Sequence, residues 1–320
     1  MRSPAGDDIP HTDPGSAAAN AADTPPIRLV IAAFAAVYIV WGSTYLAIRF
    51  AIETLPPLLM AGVRFLVAGS FLYGWARWRG AGKPRLEHWR AAAVIGALLL
   101  LGGNGAVTWA EQFIPSGIAA LLIAVVPCWM VLIDWVRPGG PPPTAQIVAG
   151  LVLGLVGVAI LIGPESLMGG DRINLTGAAV VLGGSMSWAA GSILSRHVKV
   201  PSRPLLATGI QMLCGGALLI LAGLVSGEAA KIDASAISAK SVLALIYLIL
   251  IGAIVGYSAY IWLLRVSTPA RVSTYAYVNP VVAVLLGWLF AGETVSPRVI
   301  AAAAVIVAGV ALITLSRVNR

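Results

Sequence analysis

The chain has 320 residues, of which 59% are hydrophobic even before its 35 glycines are counted, and only 11% are charged. Mean hydropathy is +0.90. So little charge cannot cover a water-facing surface, since soluble domains carry about 25% charged residues. This composition excludes a soluble protein and predicts an all-α, polytopic membrane protein. A net charge of +8 invites a nucleic-acid reading, but the basic residues fall in short clusters between apolar runs, where membrane orientation places them. No nucleic-acid partner is expected.

Residues 1–26 contain Asp7, Asp8, Asp13, Asp23 and five prolines with no apolar stretch, the composition of a disordered tail rather than a cleaved signal. Ten apolar runs of bilayer length follow: Ile27–Ile48, Leu58–Ala76, Ala91–Ala110, Gly117–Val136, Ala145–Ile162, Leu175–Ser195, Leu205–Val225, Val242–Leu264, Val272–Ala291 and Val299–Leu315. They read as helices because each far exceeds the roughly ten residues a membrane strand needs, and none alternates with period two. Turn chemistry separates them at Pro56-Pro57, Gly80 to Pro84, Pro138 to Pro143, Gly163-Pro164, Pro201 to Pro204, Pro269 and Pro297.

With the N-terminus in the cytoplasm, the loop holding Arg77, Arg79, Lys83, Arg85 and Arg90 faces inward, as do Arg137, Arg196, Lys199, Arg203, Arg265 and Arg271. The outer side keeps only Arg172, Lys231, Lys240 and Arg298. This bias predicts that both termini are cytoplasmic.

The chain also matches itself. Trp41, Arg49, Gly62 and Gly69 recur as Trp188, Arg196, Gly209 and Gly216, all at an offset of 147. Trp109, Pro127 and Trp135 recur as Trp262, Pro280 and Trp288 at an offset of 153. Spans one to five therefore correspond to spans six to ten. Five is odd, so the two copies cross in opposite directions, the inverted-repeat construction of many secondary transporters. The expected organisation is a tail over 1–26, a first repeat over 27–163 and a second over 164–320.

Trp41-Gly-Ser-Thr-Tyr-Leu-Ala-Ile-Arg49, Pro56-Pro57 and Ala61-Gly-Val-Arg-Phe-Leu-Val-Ala-Gly69 resemble the start of an EamA-type repeat of the drug/metabolite transporter superfamily. Tyr277-Val-Asn-Pro280 and Gly292-Glu293 resemble that family's signature around span nine. The chain also resembles the YedA-like permeases of bacteria, and the resemblance covers roughly residues 28–316. The resemblance implies ten helices, cytoplasmic termini, a central cavity and export of small metabolites or drugs. One departure is that the first half carries Gly139-Gly140 and three prolines where the second carries Gly292-Glu293.

Pro127 and Pro280 stand near the middle of spans four and nine, where proline frees backbone carbonyls at membrane depth. They are candidate helix kinks beside a substrate cavity, or packing kinks healed by a neighbour. Asn104, Tyr257, Tyr260, Tyr275, Tyr277 and Asn279 are candidate cavity residues, because polar groups are costly in lipid and should face inward. Trp41, Tyr45 and Trp188 join them, with Ser43, Thr44 and Ser192 nearby. Their hydrogen-bonding groups and ring faces suit an amphiphile. Trp109 and Trp262 read equally as interfacial anchors. Arg64, the deepest firm charge, needs a partner, and Glu53 or Glu111 would complete a gating or structural ion pair. Gly150-x-x-x-Gly154 and Gly252-x-x-x-Gly256 allow close helix contact within or between chains.

No phosphate-binding loop, intramembrane histidine or H-E-x-x-H pattern occurs, which argues against a pump or an enzyme. Neither Cys128 and Cys214 nor His11, His88 and His197 have metal-ligand spacing. No cofactor and no metal are expected. The reading is a secondary transporter of a bacterial inner membrane, monomeric or homodimeric, with a small-molecule substrate and the lipid bilayer as partners. It exports small amphiphilic metabolites such as amino acids or related compounds, or drugs, by alternating access through a central cavity. The alternative is a channel or a non-transporting assembly or sensor subunit.

Overall fold

A computed structural model describes residues 26–136, 142–167, 174–267, 272 and 275–318. The expected tail lies almost wholly outside them. Ten helices are described: α1 (Ile27–Ala51), α2 (Pro57–Trp78), α3 (Leu86–Ala110), α4 in two pieces (Ser116–Ile123 and Val126–Val136), α5 (Ala145–Leu167), α6 (Leu175–Leu194), α7 (Pro204–Val225), α8 (Ala239–Val266), α9 (Tyr275–Ala291) and α10 (Pro297–Val318). α1 to α4 and α6 to α8 are long and apolar enough to cross a membrane, while α5, α9 and α10 hold shorter apolar helices. Trp75, Leu155, Leu221, Leu285 and Trp288 point outward and exposed, which in this composition makes a lipid-facing belt.

The repeat is written into the helix ends. Pro57 and Pro204, 147 residues apart, each sit in the first turn of α2 and α7, where a missing N–H costs nothing. Gly80 and Gly227, at the same offset, follow those helices with φ of 79° and 75°, the left-handed turn that glycine takes without strain. α3 and α8 start earlier than hydropathy alone indicates. The Ser238 hydroxyl accepts from Ser241 N, and Arg85 N donates to His88 Nδ1, so polar first turns are capped and stay helical.

Packing exchanges the two halves. α2 lies along α7, α5 along α10, and α4 beside α9. The contact of α1 with α9 mirrors that of α6 with α4. At the α2–α7 crossing the backbones nearly touch. A Cβ on Gly209 would stand 2.8 Å from Tyr73 N, and one on Gly216 2.8 Å from Leu66 N and 3.0 Å from Gly62 O. The four glycines that reveal the repeat are thus the residues that let it close. Gly154 and Gly309 meet similarly across α5 and α10, and Gly252 and Gly256 face Arg64 and Trp41. Both small-residue motifs therefore serve contacts within this chain.

One expectation needs correction. α4 is not continuous. It breaks at Ala124-Val125, because Pro127 supplies no N–H for the carbonyl of Ile123 and its ring crowds that carbonyl. Pro280, by contrast, lies inside an unbroken α9, so the two prolines are equivalent in sequence but not in consequence. Both are buried.

Candidate functional site

α3 and α8 each widen into a π-helical stretch, Ala97–Gly105 and Leu248–Tyr257, which overlap under the 153-residue offset. Such stretches shift the backbone ladder and are frequent at functional sites. Here they carry Gly103 and Asn104 on α3, and Gly252 and Tyr257 on α8, into one cavity. Trp41, Thr44, Tyr45 and Ile48 of α1 also line it, with Arg64 and Phe65 of α2, Val107 of α3, Ile123 of α4, Trp188 of α6 and Tyr275 of α9. Its empty volume, mouth included, is about 590 Å³. It reaches Ile48 and Val107, one turn from the ends of α1 and α3 that lie opposite the termini.

The cavity straddles the pseudo-twofold. Trp41 and Trp188 are repeat equivalents and meet edge to face, with ring centroids 5.4 Å apart. Asn104 and Tyr257 are equivalents 153 residues apart. Beneath them the Tyr260 ring lies tilted 4.8 Å from that of Trp41 and edge to face 5.8 Å from that of Tyr275. Trp188 Nε1 donates to its hydroxyl at 3.1 Å, and that hydroxyl shares a 2.7 Å bond with Ser192 Oγ. Tyr257 donates to Gln211 Oε1 at 3.3 Å. Gln211 lines a second cavity on the side of the termini, with Ser195, Arg196, Leu264 and Arg265. Under the two offsets Ser195 corresponds to Ile48 and Gln211 to Arg64, while Val200, Pro201, Ser202 and Arg265 correspond to Glu53, Thr54, Leu55 and Gln112 at the outer mouth. An aromatic layer separates the two cavities.

The sequence-derived candidates distribute unevenly. Trp41, Tyr45, Asn104, Trp188, Tyr257 and Tyr275 come together on the cavity wall. Tyr260 does not line the cavity but is fully buried as its support. Asn279 is also buried, in the close approach of α9 to α1 where its backbone carbonyl faces Gly42. Its side-chain Oδ1 is buried there without a hydrogen-bond partner. The side chain of Tyr277 lies outside the described residues. Trp109 stands half-buried at the mouth beyond the cavity, near Ile52, Leu55 and Gln112. Trp129 bonds Ser185 Oγ at 2.8 Å, tying α4 to α6.

The expected ion pair of Arg64 with Glu53 or Glu111 does not form among the described residues. Glu53 is paired with Lys240 at 2.6 Å. Glu111 is buried just beyond α3, and neither carboxylate oxygen has a hydrogen-bond partner. Arg49 reaches only its backbone carbonyl, at 2.8 Å. Arg64 points elsewhere, toward α8, because the glycine at 252 leaves room for its guanidinium. Its Nε donates to Leu248 O at 3.1 Å and its charge lies 4.8 Å from the Phe65 ring centre.

Sequence reasoning gave no role to two carboxylates that hold the halves together at the end opposite the termini. Glu293 accepts from Ser116 N, Ser116 Oγ and Gly117 N at 2.7, 2.7 and 3.1 Å. Glu228 accepts from Leu58 N and Leu59 N at 3.2 and 2.9 Å. Each binds the unsatisfied donors of a helix N-terminus in the opposite repeat. The signal was a Glu just past one helix and a proline opening another, which no local pattern joins.

One crystal structure, 21% identical in sequence, covers 92% of this chain and 100% of its own with a TM-score of 0.64, which supports the fold. Among relatives, the chain is 44% identical over 283 residues to "Uncharacterized inner membrane transporter YedA" of Escherichia coli strain K12, covering 88% of this chain and 89% of that one. It is 28% identical over 292 residues to "Probable amino-acid metabolite efflux pump" of Salmonella typhimurium strain LT2, covering 85% and 90%. It is 24% identical over 277 residues to "Uncharacterized transporter YvbV" of Bacillus subtilis strain 168, covering 86% and 88%. The profile of the EamA-like transporter family matches residues 28–163 and again 175–315. With ten helices in two inverted five-helix repeats around a shared cavity, this chain belongs to the EamA-like transporter family and is a membrane transporter rather than an enzyme.

Proposed function

We propose that the protein is a secondary carrier of a bacterial inner membrane that exports small amphiphilic metabolites, amino acids or related compounds, by alternating access. The observation that carries this reading is a central cavity walled from both repeats by equivalent residues, Trp41 with Trp188 and Asn104 with Tyr257, with a second cavity beyond Gln211 on the side of the termini. A pathway built from equivalent residues on opposite sides of one aromatic layer has what two alternating gates require. In this arrangement the Tyr257–Gln211 bond and the Tyr260–Ser192–Trp188 cluster form the closed gate. The cavity beyond them holds the solute.

The names of two relatives support the location and the substrate class, one an inner membrane transporter and one a probable amino-acid metabolite efflux pump. Both termini are cytoplasmic in this reading, with repeats over 27–163 and 164–320. One copy furnishes the cavity wall, so a monomer suffices, and a homodimer would leave the pathway unchanged. Cysteines introduced at Lys83 and Lys231 should label from opposite faces of the membrane, and labelling from one face refutes the inverted arrangement.

The functional test is flux into proteoliposomes loaded with amino acids. Saturable counterflow is the expected result, and unsaturating conductance would make the protein a channel. Tyr275→Ala should alter substrate dependence while leaving the amount of folded protein unchanged. An equal loss of folded protein would reduce Tyr275 to a packing residue.

A further inference from the structure

Arg64 is 3% exposed and lies within a membrane-spanning helix, where a charge is expensive unless it is paired. Among the described residues it has no carboxylate partner. Its Nε is satisfied by Leu248 O and a ring lies beside it, yet Nη1 is buried with no hydrogen-bond partner. The fold does not demand this charge. Its repeat equivalent is Gln211, neutral, buried and equally well packed in α7. At this position of the repeat the charge is therefore kept in one copy only, and it faces the central cavity.

A second unpaired atom lines the same space. Asn104 Oδ1 is buried without a partner, an acceptor where Arg64 offers donors. Trp41 and Tyr275 supply ring faces between them. The second cavity, beyond Gln211, carries Arg196 and Arg265.

We propose that Arg64 is the carboxylate-binding group of the cavity. The substrate then enters as a free carboxylate on Arg64, with its own N–H donor on Asn104 Oδ1 and its apolar or aromatic body against Trp41 and Tyr275. This rests on the carrier reading and narrows it: a compound without the carboxylate is rejected, because it leaves a buried guanidinium unpaired. The guanidinium matches a carboxylate by two parallel donors, which an ammonium cannot do.

The test uses the purified full chain and three matched sets of probes: tryptophan, phenylalanine and leucine, each with its amide, its decarboxylated amine and the acid lacking the amine. Equilibrium binding is measured first, so that the result does not depend on flux. At least one free amino acid should bind ten-fold or more tightly than its amide and amine. Arg64→Gln should abolish that preference, and Arg64→Lys should restore part of it, with both variants checked for folding by size exclusion. Asn104→Ala should weaken the amino acid but not the corresponding acid lacking the amine.

Equal binding of acid and amide, binding by none of the carboxylates, or an unchanged preference in folded Arg64→Gln overturns the proposal. If neither arginine variant folds, the preference of the wild-type protein alone decides. Carboxylate-selective binding without counterflow would uphold this site and sink the carrier reading; counterflow with no carboxylate preference would do the reverse.

Discussion

The α2–α7 crossing allows the duplication to be tested at a single methyl group. Gly209→Ala puts a Cβ 2.8 Å from Tyr73 N and 3.2 Å from both Gly69 O and Tyr73 Cα. All three are backbone atoms, so no side chain can swing aside, and the helices must separate by roughly 0.6 Å to restore ordinary contact. A gap of that size forfeits about a quarter to a half of each pairwise attraction along the seam, and overpacking of this kind costs about 1–3 kcal/mol. Gly74 of α2 is the control. It is exposed, with nothing within 4 Å of its added Cβ, and alanine there should stabilise by about 0.5–1 kcal/mol through helix propensity.

The two variants should therefore differ by about 1.5–4 kcal/mol. Unfolding in detergent micelles, followed by size exclusion after stepwise heating, reads the difference. Equal stability of Gly209→Ala and Gly74→Ala would show that the glycine seam does not hold the halves together.

Other outcomes follow from the carboxylates and the aromatic layer. Glu293→Ala strips the partners from Ser116 N and Gly117 N and should destabilise by about 2–4 kcal/mol. Glu53→Ala, which breaks only an exposed pair with Lys240, should cost about 0–1 kcal/mol, and comparable losses in the two thermal scans would refute the anchoring role. Tyr260→Phe removes the hydroxyl that Trp188 and Ser192 share and should cost about 1–3 kcal/mol while leaving the cavity wall intact; unchanged stability counts against the cluster as a gate. Burial first, and Glu293 beside it second, hold the Glu111 carboxyl well above the usual carboxylate range, with Arg49 opposing. A proton bound more tightly when folded favours the fold fully below the unfolded value, and that contribution fades as pH rises through the raised one. Apparent stability should thus fall with rising pH and flatten in Glu111→Gln, and the same pH slope in both would assign the effect elsewhere.

Composition and periodicity alone determined that the chain is membrane-embedded, how many times it crosses, and that its second half repeats its first in the opposite direction. These follow from local physics: twenty apolar residues must span, proline and glycine must turn, and recurring Trp, Gly and Pro at fixed offsets betray a copied scaffold. The aromatic and amide residues of the cavity were also legible, since Asn104, Tyr257 and Trp41 have no good place in lipid. Tertiary structure decided the rest. Whether Arg64 meets Glu111, Glu53 or an open cavity depends on which helix passes it, and the glycine at 252 settles that from nearly 190 residues away. Pro127 breaks its helix and Pro280 does not, although the sequence pairs them. Glu228 and Glu293 reach helix ends in the opposite repeat. Each such outcome is a contact between distant segments, and a linear pattern records what a residue needs but not which neighbour will supply it.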